Sequence, residues 1–409
     1  MSSCGKIARE DPHGGALAYS PNINYFLTWY RGPAVSFHGR LTLGTGHIVI
    51  GRGLWVRMNI SSSVWPSLLW RNHTGNCQLI QTEIPEKVDL IESQIAFSIF
   101  YLLVWLFAVA GNICVLYVVS FKQVSLSVRA VFIANLSISD ILMSLTSLPV
   151  TAVSIFTRDW VFPKVFCKLI GVFQGGSIFV SSFTLTAIAV DRYFLVSKPS
   201  VQVINFGRAI AIVGAIWLVG YGLALPVGIF SHAETYSSLC GSFCEESWPD
   251  IVDGVSRMRR FYGLTVLVLQ FGMPVIISSL CYIAVSRVIS RQIEKRRRQH
   301  MLPDNEQKLV SRKNRSLRMM VSMVLGLVLA WLPLNLINLW RDFDNSDPSE
   351  WFSLVFAGGH VVAMTSAALN PVIYSWFNPQ FRETLQNIFR KAVERNSKTK
   401  TKTATGTSV

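Results

Sequence analysis

The triplet Asp191-Arg192-Tyr193 ends a long apolar run that begins near Cys167. A charged pair is costly to place in lipid, so its position at the end of a membrane-length segment requires a reason. Cys167 precedes Arg192 by 25 residues, which is about 37 Å of helix. That length crosses a bilayer with some tilt, so we predict that Cys167 and Arg192 lie on opposite sides of a membrane.

Asp140 stands in the middle of a second apolar run. An isolated carboxylate there must pair with a cation-bearing group, bind a metal cation or take up a proton. Candidate partners are Ser181 in the third run, and Ser366 and Asn370 in the last. A cluster that only holds helices together is the alternative.

Two polar stripes have helical spacing. Ser366, Asn370 and Tyr374 are four residues apart, and Pro371 loosens the helix beside them. The second stripe begins at a mid-membrane aromatic residue and ends at an acid; it comprises Trp331, Asn335, Asn338 and Asp342, with a kink expected at Pro333. This pattern is typical of the wall of a wet pocket.

Gln174 lies 18 residues before Arg192, near the opposite end of the same predicted helix. A pocket amide there supplies two donors and an acceptor. A Gln bonded to a neighbouring helix is the simpler alternative.

The elements that must position these residues are seven long apolar runs. Of the 409 residues, 51% are hydrophobic and only 15% charged, which argues against a soluble protein. The fold class predicted is an all-α membrane protein with seven transmembrane helices, at roughly 94–120, 129–155, 165–196, 208–230, 261–290, 312–340 and 351–377.

The net charge of +15 is distributed by side and does not indicate nucleic-acid binding. The connections at 121–129, 192–208 and 287–318, with the end of the chain from 378, hold 23 of the 38 Lys and Arg; the alternate connections hold 7. The basic side is cytoplasmic by the positive-inside rule. The N-terminus is therefore expected outside and the C-terminus inside.

The cysteines and glycosylation motifs agree with this orientation. Cys77, Cys167, Cys240 and Cys244 fall on the oxidising side, with their pairing left open, and no Cys spacing suits a structural metal. The sequons at Asn59 and Asn72 also lie outside. Neither a nucleophile–base pair nor a phosphate loop is visible, so we predict that the chain is not an enzyme.

Taken in order, the motifs resemble those of rhodopsin-like (class A) G-protein-coupled receptors over roughly 94–391. They are Gly111-Asn112, Asn135 with Asp140, Cys167, Asp191-Arg192-Tyr193, Trp217, Pro274, Tyr282, Trp331-Leu-Pro333, Asn370-Pro371 with Tyr374, and Phe381, which opens a short amphipathic eighth helix. Residues 1–93 are then an outer segment, expected to be largely disordered, and 392–409 a cytoplasmic tail.

Within that family the chain looks most like neuropeptide Y, neuropeptide F and RFamide receptors. The residues that carry this are 148–151, Trp160, and 244–249. The resemblance implies a Cys167–Cys244 disulfide, and a site where Thr151 and Gln174 hold a peptide carboxamide. It also implies that Asn338 and Asp342 hold a peptide Arg, while His360 flanks the terminal aromatic residue or, alternatively, is bonded within the bundle. A non-RFamide peptide or another class A ligand is the alternative function.

Charge supports a cationic ligand independently of the resemblance. The outer connections 231–260 and 341–350 hold five and four acids, and an acidic mouth attracts cations. An amine receptor would be expected to have an acid at Gln174, and a retinal protein needs a Lys in the seventh run, which has none.

The mechanism implied is a two-state bundle biased by a peptide. Asp140, Ser181, Ser366 and Asn370 hold Na⁺ or water at rest, with no other cofactor. Activation proceeds through Trp331 and Pro333 to the other switch residues: Asp191, Arg192, Tyr193, Tyr282, Asn370, Pro371 and Tyr374. The receptor is expected in the plasma membrane, and a G protein then binds to its cytoplasmic side. Ser182 and Leu327 depart from the family pattern beside Pro274, which predicts altered switch packing.

Two further partners are suggested by the C-terminal tail. Phosphorylation of its Ser and Thr residues, 397–408, would form an acidic strip for an arrestin. Thr407-Ser408-Val409 fits a PDZ ligand. The basic run 295–298 is expected to contact acidic membrane lipid.

Overall fold

Seven long helices form the protein, as the sequence predicts. The computed structural model describes residues 77–121, 127–198, 203–236, 239–251, 256–298, 303–343, 349–377, 381–384, 386–387 and 390. The helices are α1 (Ile91–Phe121), α2 (Val128–Thr157), α3 (Lys164–Ser197), α4 (Phe206–Phe230), α5 (Arg257–Leu267, continued by Met273–Arg298), α6 (Pro303–Phe343) and α7 (Phe352–Phe377). All seven are long and apolar enough to span a membrane.

Two helices are longer than the apolar runs from which they were predicted. The sixth begins at Pro303 and not near 312, and the fifth continues to Arg298. These extensions are rich in charged residues, because a helix that leaves the lipid keeps its backbone bonds and only its side chains change environment. Hydropathy therefore marks the membrane span and not the helix.

Polar side chains hold the bundle together at its centre. Asn112 of α1 donates to the Ala367 carbonyl of α7 at 2.9 Å. Asn135 of α2 donates to Thr184 of α3 at 2.7 Å and accepts from Trp217 of α4 at 2.6 Å. Each of these bonds joins two or more helices in an apolar medium, where an unpaired polar group would be expensive.

Small residues bring α3 and α4 into close contact. A Cβ atom added to Gly228 would lie 2.8 Å from the Lys168 carbonyl oxygen and 2.5 Å from Val172 Cγ2. Glycine is therefore required for this approach of the two backbones. The lipid-facing surface is apolar, and Leu218, Phe261 and Trp376 are among its most exposed side chains.

A two-stranded antiparallel sheet follows α4, which the sequence did not predict. Its strands are β1 (Ser231–Glu234) and β2 (Phe243–Glu246), with Ser231 opposite Glu246. Beyond α7, residues 381–384, 386–387 and 390 are helical, with Phe381 packed in the core and Arg382 and Glu383 exposed. This agrees with the amphipathic eighth helix expected there.

Candidate functional site

Two disulfides lie at one end of the bundle, which we call the disulfide end. Cys167 of α3 is bonded to Cys244 of β2, which confirms the pair that the resemblance implied. Cys77 is bonded to Cys240, which settles the pairing that the sequence left open. Both bonds anchor the connection between α4 and α5, which contains the sheet. The Cys167–Cys244 bond fastens it to the bundle, and the Cys77–Cys240 bond fastens it to the segment before α1.

That segment, residues 77–90, forms what we call the N-terminal strap. It contains a short helix, Ile80–Glu83, and a 3₁₀ turn, Lys87–Asp89. The sequence analysis placed these residues in a segment expected to be largely disordered; the described part of it is folded against the bundle. Residues 1–76, with the sequons at Asn59 and Asn72, lie outside the described residues.

Arg158 ties the strap to the connection after α2. Its guanidinium lies 2.8 Å from Glu86, 2.9 Å from Asp89 and 2.6 Å from the Ile84 carbonyl oxygen. The Arg158 side chain is only 7% exposed, and its backbone adopts a left-handed conformation with φ of 50° at the end of α2. A short left-handed turn thus aims a buried cation at two carboxylates.

The strap also reaches the start of α7. The Lys87 backbone nitrogen donates to the Glu350 carbonyl oxygen at 2.9 Å, and Glu86 accepts from the Ser353 nitrogen at 3.0 Å. With the Cys77–Cys240 bond, the strap is fastened to all three connections at the disulfide end. A cleft of about 360 Å³ lies beside it, lined by Trp160, Tyr236 and others; none of the five predicted ligand residues lines that cleft.

Asp342, predicted to hold a peptide Arg, already faces an arginine of this chain. Its carboxylate, 10% exposed at the end of α6, lies 3.0 Å from the Arg259 Nε of α5. Arg260 donates to the Asp342 carbonyl oxygen at 2.6 Å. Asp342 therefore pairs with a guanidinium of this chain, and its predicted contact with a peptide Arg stays a prediction.

Thr151, Gln174 and Asn338 are partly buried on α2, α3 and α6. Their side chains make no hydrogen bond to another residue that the structure describes. Their donors and acceptors are therefore available, as a binding role requires. Asn335, on the same stripe as Asn338, is instead bonded to the Trp331 carbonyl at 2.9 Å.

His360 of α7 is 1% exposed and lies inside the bundle. Its Nδ1 is 2.9 Å from the Tyr101 hydroxyl of α1, and its ring stacks with those of Tyr101 and Phe356. Its Nε2 has no hydrogen-bond partner in the described structure. The geometry matches the alternative that the sequence raised, a histidine bonded within the bundle.

Of the three residues predicted to surround Asp140, two contact it and the third does not. Asp140 is 2% exposed and accepts from Asn370 at 2.8 Å and from Ser181 at 3.3 Å. Ser366 accepts instead from the Trp331 indole nitrogen at 2.9 Å. The cluster thus joins α2, α3 and α7, while Ser366 links α7 to the Trp331 switch in α6.

At the opposite end, Arg192 is paired with its neighbour Asp191 at 2.7 Å. Arg192 is buried, whereas Tyr282 of α5 is 41% exposed. Tyr374 of α7 is buried, and its hydroxyl has no partner in the described part of the chain. The sequence analysis expected Arg192 to leave this pair on activation, which stays a prediction.

Ser182, which departs from the family pattern, has a structural role. Between the two parts of α5, Val268–Gly272 forms a π-helical turn. The Ser182 hydroxyl donates to the Gln270 carbonyl in that turn. A π turn weakens the local ladder, so a polar residue at 182 bonds a carbonyl that an apolar side chain would leave unsatisfied.

The acids at the disulfide end are largely occupied by internal partners. Burial, with repulsion from Glu234, raises the pKa of Glu245 above the usual carboxyl range, against the hydrogen bond from Tyr236. Bonds or ion pairs within the chain also hold Glu246, Asp250, Asp342 and Glu350. The attraction of cations expected from counting acids is therefore reduced by the chain's own basic groups.

A seven-helix membrane protein with a disulfide-anchored connection at one end and a buried Asp-Arg pair at the other has the architecture of a receptor. The chain belongs to the 7 transmembrane receptor (rhodopsin family), whose model matches residues 111–374. This membership confirms the class that the motifs indicated, and the prediction that the chain is not an enzyme. The protein is thus a multi-pass membrane protein.

Three curated relatives show which receptors of this family the chain is similar to. The chain is 57% identical to neuropeptide receptor 3 of Caenorhabditis elegans over 318 residues, covering 77% of this chain and 84% of the relative. It is 29% identical to neuropeptide receptor npr-1 of the same organism, covering 75% of each. It is 31% identical to neuropeptide Y receptor type 2 of Bos taurus, covering 76% of this chain and 79% of the relative.

Sequence reasoning missed two residues that structure the site. Arg158 gives no signal, because a single Arg in a connection reads as a solvated charge. Tyr101 lies in an apolar run, where a Tyr reads as a lipid-facing or interfacial residue. Its only hint is the rule that a buried Tyr hydroxyl needs a partner.

Proposed function

We propose that this protein is a G-protein-coupled receptor for an amidated neuropeptide that ends in Arg-aromatic-amide, of the neuropeptide Y, neuropeptide F or RFamide type. The observation that carries the proposal is the guanidinium 3.0 Å from Asp342 at the disulfide end. A carboxylate that already receives one guanidinium in a partly dry position is suited to receive that of a peptide. The names of the relatives agree with a neuropeptide ligand.

In this proposal the remaining residues surround the peptide end. Thr151 and Gln174, whose side chains have no described partner, bind the terminal carboxamide. Asn338 binds the peptide Arg together with Asp342. His360, stacked against Tyr101 and Phe356, supports the terminal aromatic residue.

Binding shifts a two-state equilibrium. Movement at Trp331 is passed to Pro333, the inner half of α6 moves outward, and Arg192 leaves Asp191 to meet Tyr282 and the G protein. The receptor lies in the plasma membrane. Its disulfide end faces the outside of the cell, and its Arg192 end faces the cytosol. Asn59 and Asn72 carry glycans, and the basic residues 295–298 contact acidic membrane lipid. The tail binds an arrestin after phosphorylation, and Val409 at its end binds a PDZ domain.

Asp140 holds Na⁺ or a water cluster in the resting state. A carboxylate that is 2% exposed and, among the described residues, bonded only to the neutral Asn370 and Ser181 needs a counter-charge or a proton. The hydroxyls of Ser181 and nearby Ser139, 3.4 Å apart, add oxygen donors suited to a hard cation. The residues therefore fit Na⁺.

Asp140→Asn is expected to abolish the effect of Na⁺ on peptide binding. The amide has nearly the same shape but no charge to attract the ion. The measurement is peptide affinity in NaCl and in N-methyl-glucamine chloride at equal ionic strength. A Na⁺ effect of equal size in the variant would contradict an ion at Asp140.

Calcium and cyclic-AMP responses of cells that express the full chain test the function. A library of amidated peptides is applied alongside their free-acid forms. We expect responses to Arg-aromatic-amide peptides, with potency about 100-fold lower for the free acids and for Asp342→Asn. Glu350→Gln is the matched control, because it removes a carboxylate of the same end whose side chain is 56% exposed.

Silence from receptor that is present on the surface would exclude this peptide class. Responses to other peptides alone would favour the alternative, a class A receptor for a non-RFamide ligand. Equal losses in Asp342→Asn and Glu350→Gln would mean that charge at this end steers ligands without a specific contact.

A further inference from the structure

Arg259 is placed on Asp342 by its surroundings. It lies in the first turn of α5, where the Ser256 hydroxyl accepts from the Arg259 nitrogen at 3.0 Å and caps the helix. One turn later, Gly263 leaves room for the carboxylate, because a Cβ there would lie 3.3 Å from Asp342 Oδ2. The ion pair therefore sits in a position shaped by both helices.

A second carboxylate stands within reach of the same side chain. Glu246 Oε2 of β2 is 3.8 Å from the Arg259 Nε, against 3.0 Å for Asp342. Glu246 is itself held by the Trp248 indole, which donates to the same oxygen at 3.0 Å. Arg259 thus lies between two carboxylates on different elements and is closer to one.

We propose that Arg259 occupies, in the unliganded receptor, the place on Asp342 that the guanidinium of the ligand takes. This rests on the proposed function, since it requires a cationic group of the ligand at Asp342. On binding, the ligand displaces Arg259, which moves to Glu246. Arg259 is therefore an internal competitor of the ligand, and it sets the affinity for ligands that carry a guanidinium.

The exchange keeps every charge paired. Leaving one partner of a partly buried pair without its counter-charge is costly, whereas replacing one guanidinium by another is not. A ligand without a cation cannot offer this exchange, because its binding would leave Arg259 on Asp342 or leave both groups unpaired. Arg259 thus lowers the affinity for every ligand that must displace it.

Competition binding on intact cells tests the proposal. The probes are synthetic amidated peptides that end in Arg-Phe-amide, and their citrulline-Phe-amide counterparts, which are neutral and nearly isosteric. We expect Arg259→Gln to raise the affinity of the Arg peptide about fivefold to twentyfold and to leave that of the citrulline peptide unchanged. In an Asp342→Asn background the same substitution is expected to have no effect.

Two controls separate this exchange from general effects. Arg257→Gln removes the same charge two residues before Arg259, from a side chain that is exposed and forms no ion pair with a described residue; it should change both affinities less than twofold. Arg259→Lys keeps a cation on Asp342 and should resemble the native receptor. Surface staining establishes that each variant is folded and exported.

The outcomes distinguish two failures. If Asp342→Asn reduces the preference for Arg over citrulline but Arg259→Gln fails to raise Arg-peptide affinity, the exchange is overturned while the proposed function stands. If Asp342→Asn leaves that preference intact, or if no Arg-aromatic-amide peptide binds, the ligand assignment of Asp342 falls and the exchange falls with it.

Discussion

Arg158→Met is expected to release the N-terminal strap from the bundle. The substitution keeps an unbranched side chain at a left-handed position but removes the cation between Glu86 and Asp89, and the donor to the Ile84 carbonyl. The two carboxylates are 13% and 16% exposed, so they are largely dry. Breaking such a pair costs about 3–5 kcal/mol, which changes the local opening equilibrium by roughly two to four powers of ten.

Hydrogen exchange of the solubilised receptor measures this opening. The amides to follow are those of Ile84, Asp89 and Leu90, which are bonded within the strap. They should exchange at least 100-fold faster in the variant, while amides of α3 remain protected. Peptide affinity should also fall, because the three connections at the disulfide end lose a shared anchor and with it their preorganisation.

Lys87→Met is the matched control for Arg158→Met. It removes a cation of the same strap, but one whose pair with Glu350 is 3.3 Å long and exposed on both sides. An exposed pair contributes about 0–1 kcal/mol, so exchange should change less than tenfold. If both variants behave alike, burial of the Arg158 pair is not what fastens the strap.

The fold was predictable because the membrane simplifies the problem. An apolar run long enough to cross the lipid must form a helix there, since no other single segment can satisfy its backbone in hydrocarbon. The ends of α5 and α6 were not predictable by the same rule, because Pro303–Arg312 and Arg291–Arg298 are helical although their sequences are polar. There, helix length depends on local propensity, which hydropathy does not measure.

The candidate site was likewise predictable in one part and not in another. Asp140, Ser181 and Asn370 come together as expected, because each occupies the core side of a helix whose register the sequence shows. The partner of Asp342 was not predictable, since Arg259 is 83 positions away and meets it only through the packing of α5 on α6. The sequence analysis counted the acids of this end and assigned Arg259 no partner, whereas the structure gives that charge a specific place.

Cys167→Ser with Cys244→Ser is expected to remove most receptor from the cell surface. Removing a disulfide typically costs about 2–5 kcal/mol. Cys167 is 2% exposed and packs with Trp160, Val150 and Ile170 at the start of α3. The hydroxyl introduced at position 167 would lie in that apolar cluster, so the loss extends to the bundle itself.

Cys77→Ser with Cys240→Ser provides the comparison and separates two explanations of disulfide stability. Its bond closes a loop of 163 residues against 77 for the other, so chain entropy alone ranks it higher, by about 0.7 kcal/mol. Both loops contain inserted helices, however, which restrict the unfolded chain before either bond forms. The packing around each bond should then decide which disulfide stabilises the protein more, because the Cys77–Cys240 bond joins only the strap to the connection between α4 and α5. We expect this pair to retain at least half of the surface receptor and most of its thermal stability in detergent, with faster exchange in the strap. Equal losses in the two double variants would show that the strap is as necessary to the bundle as the bond at α3.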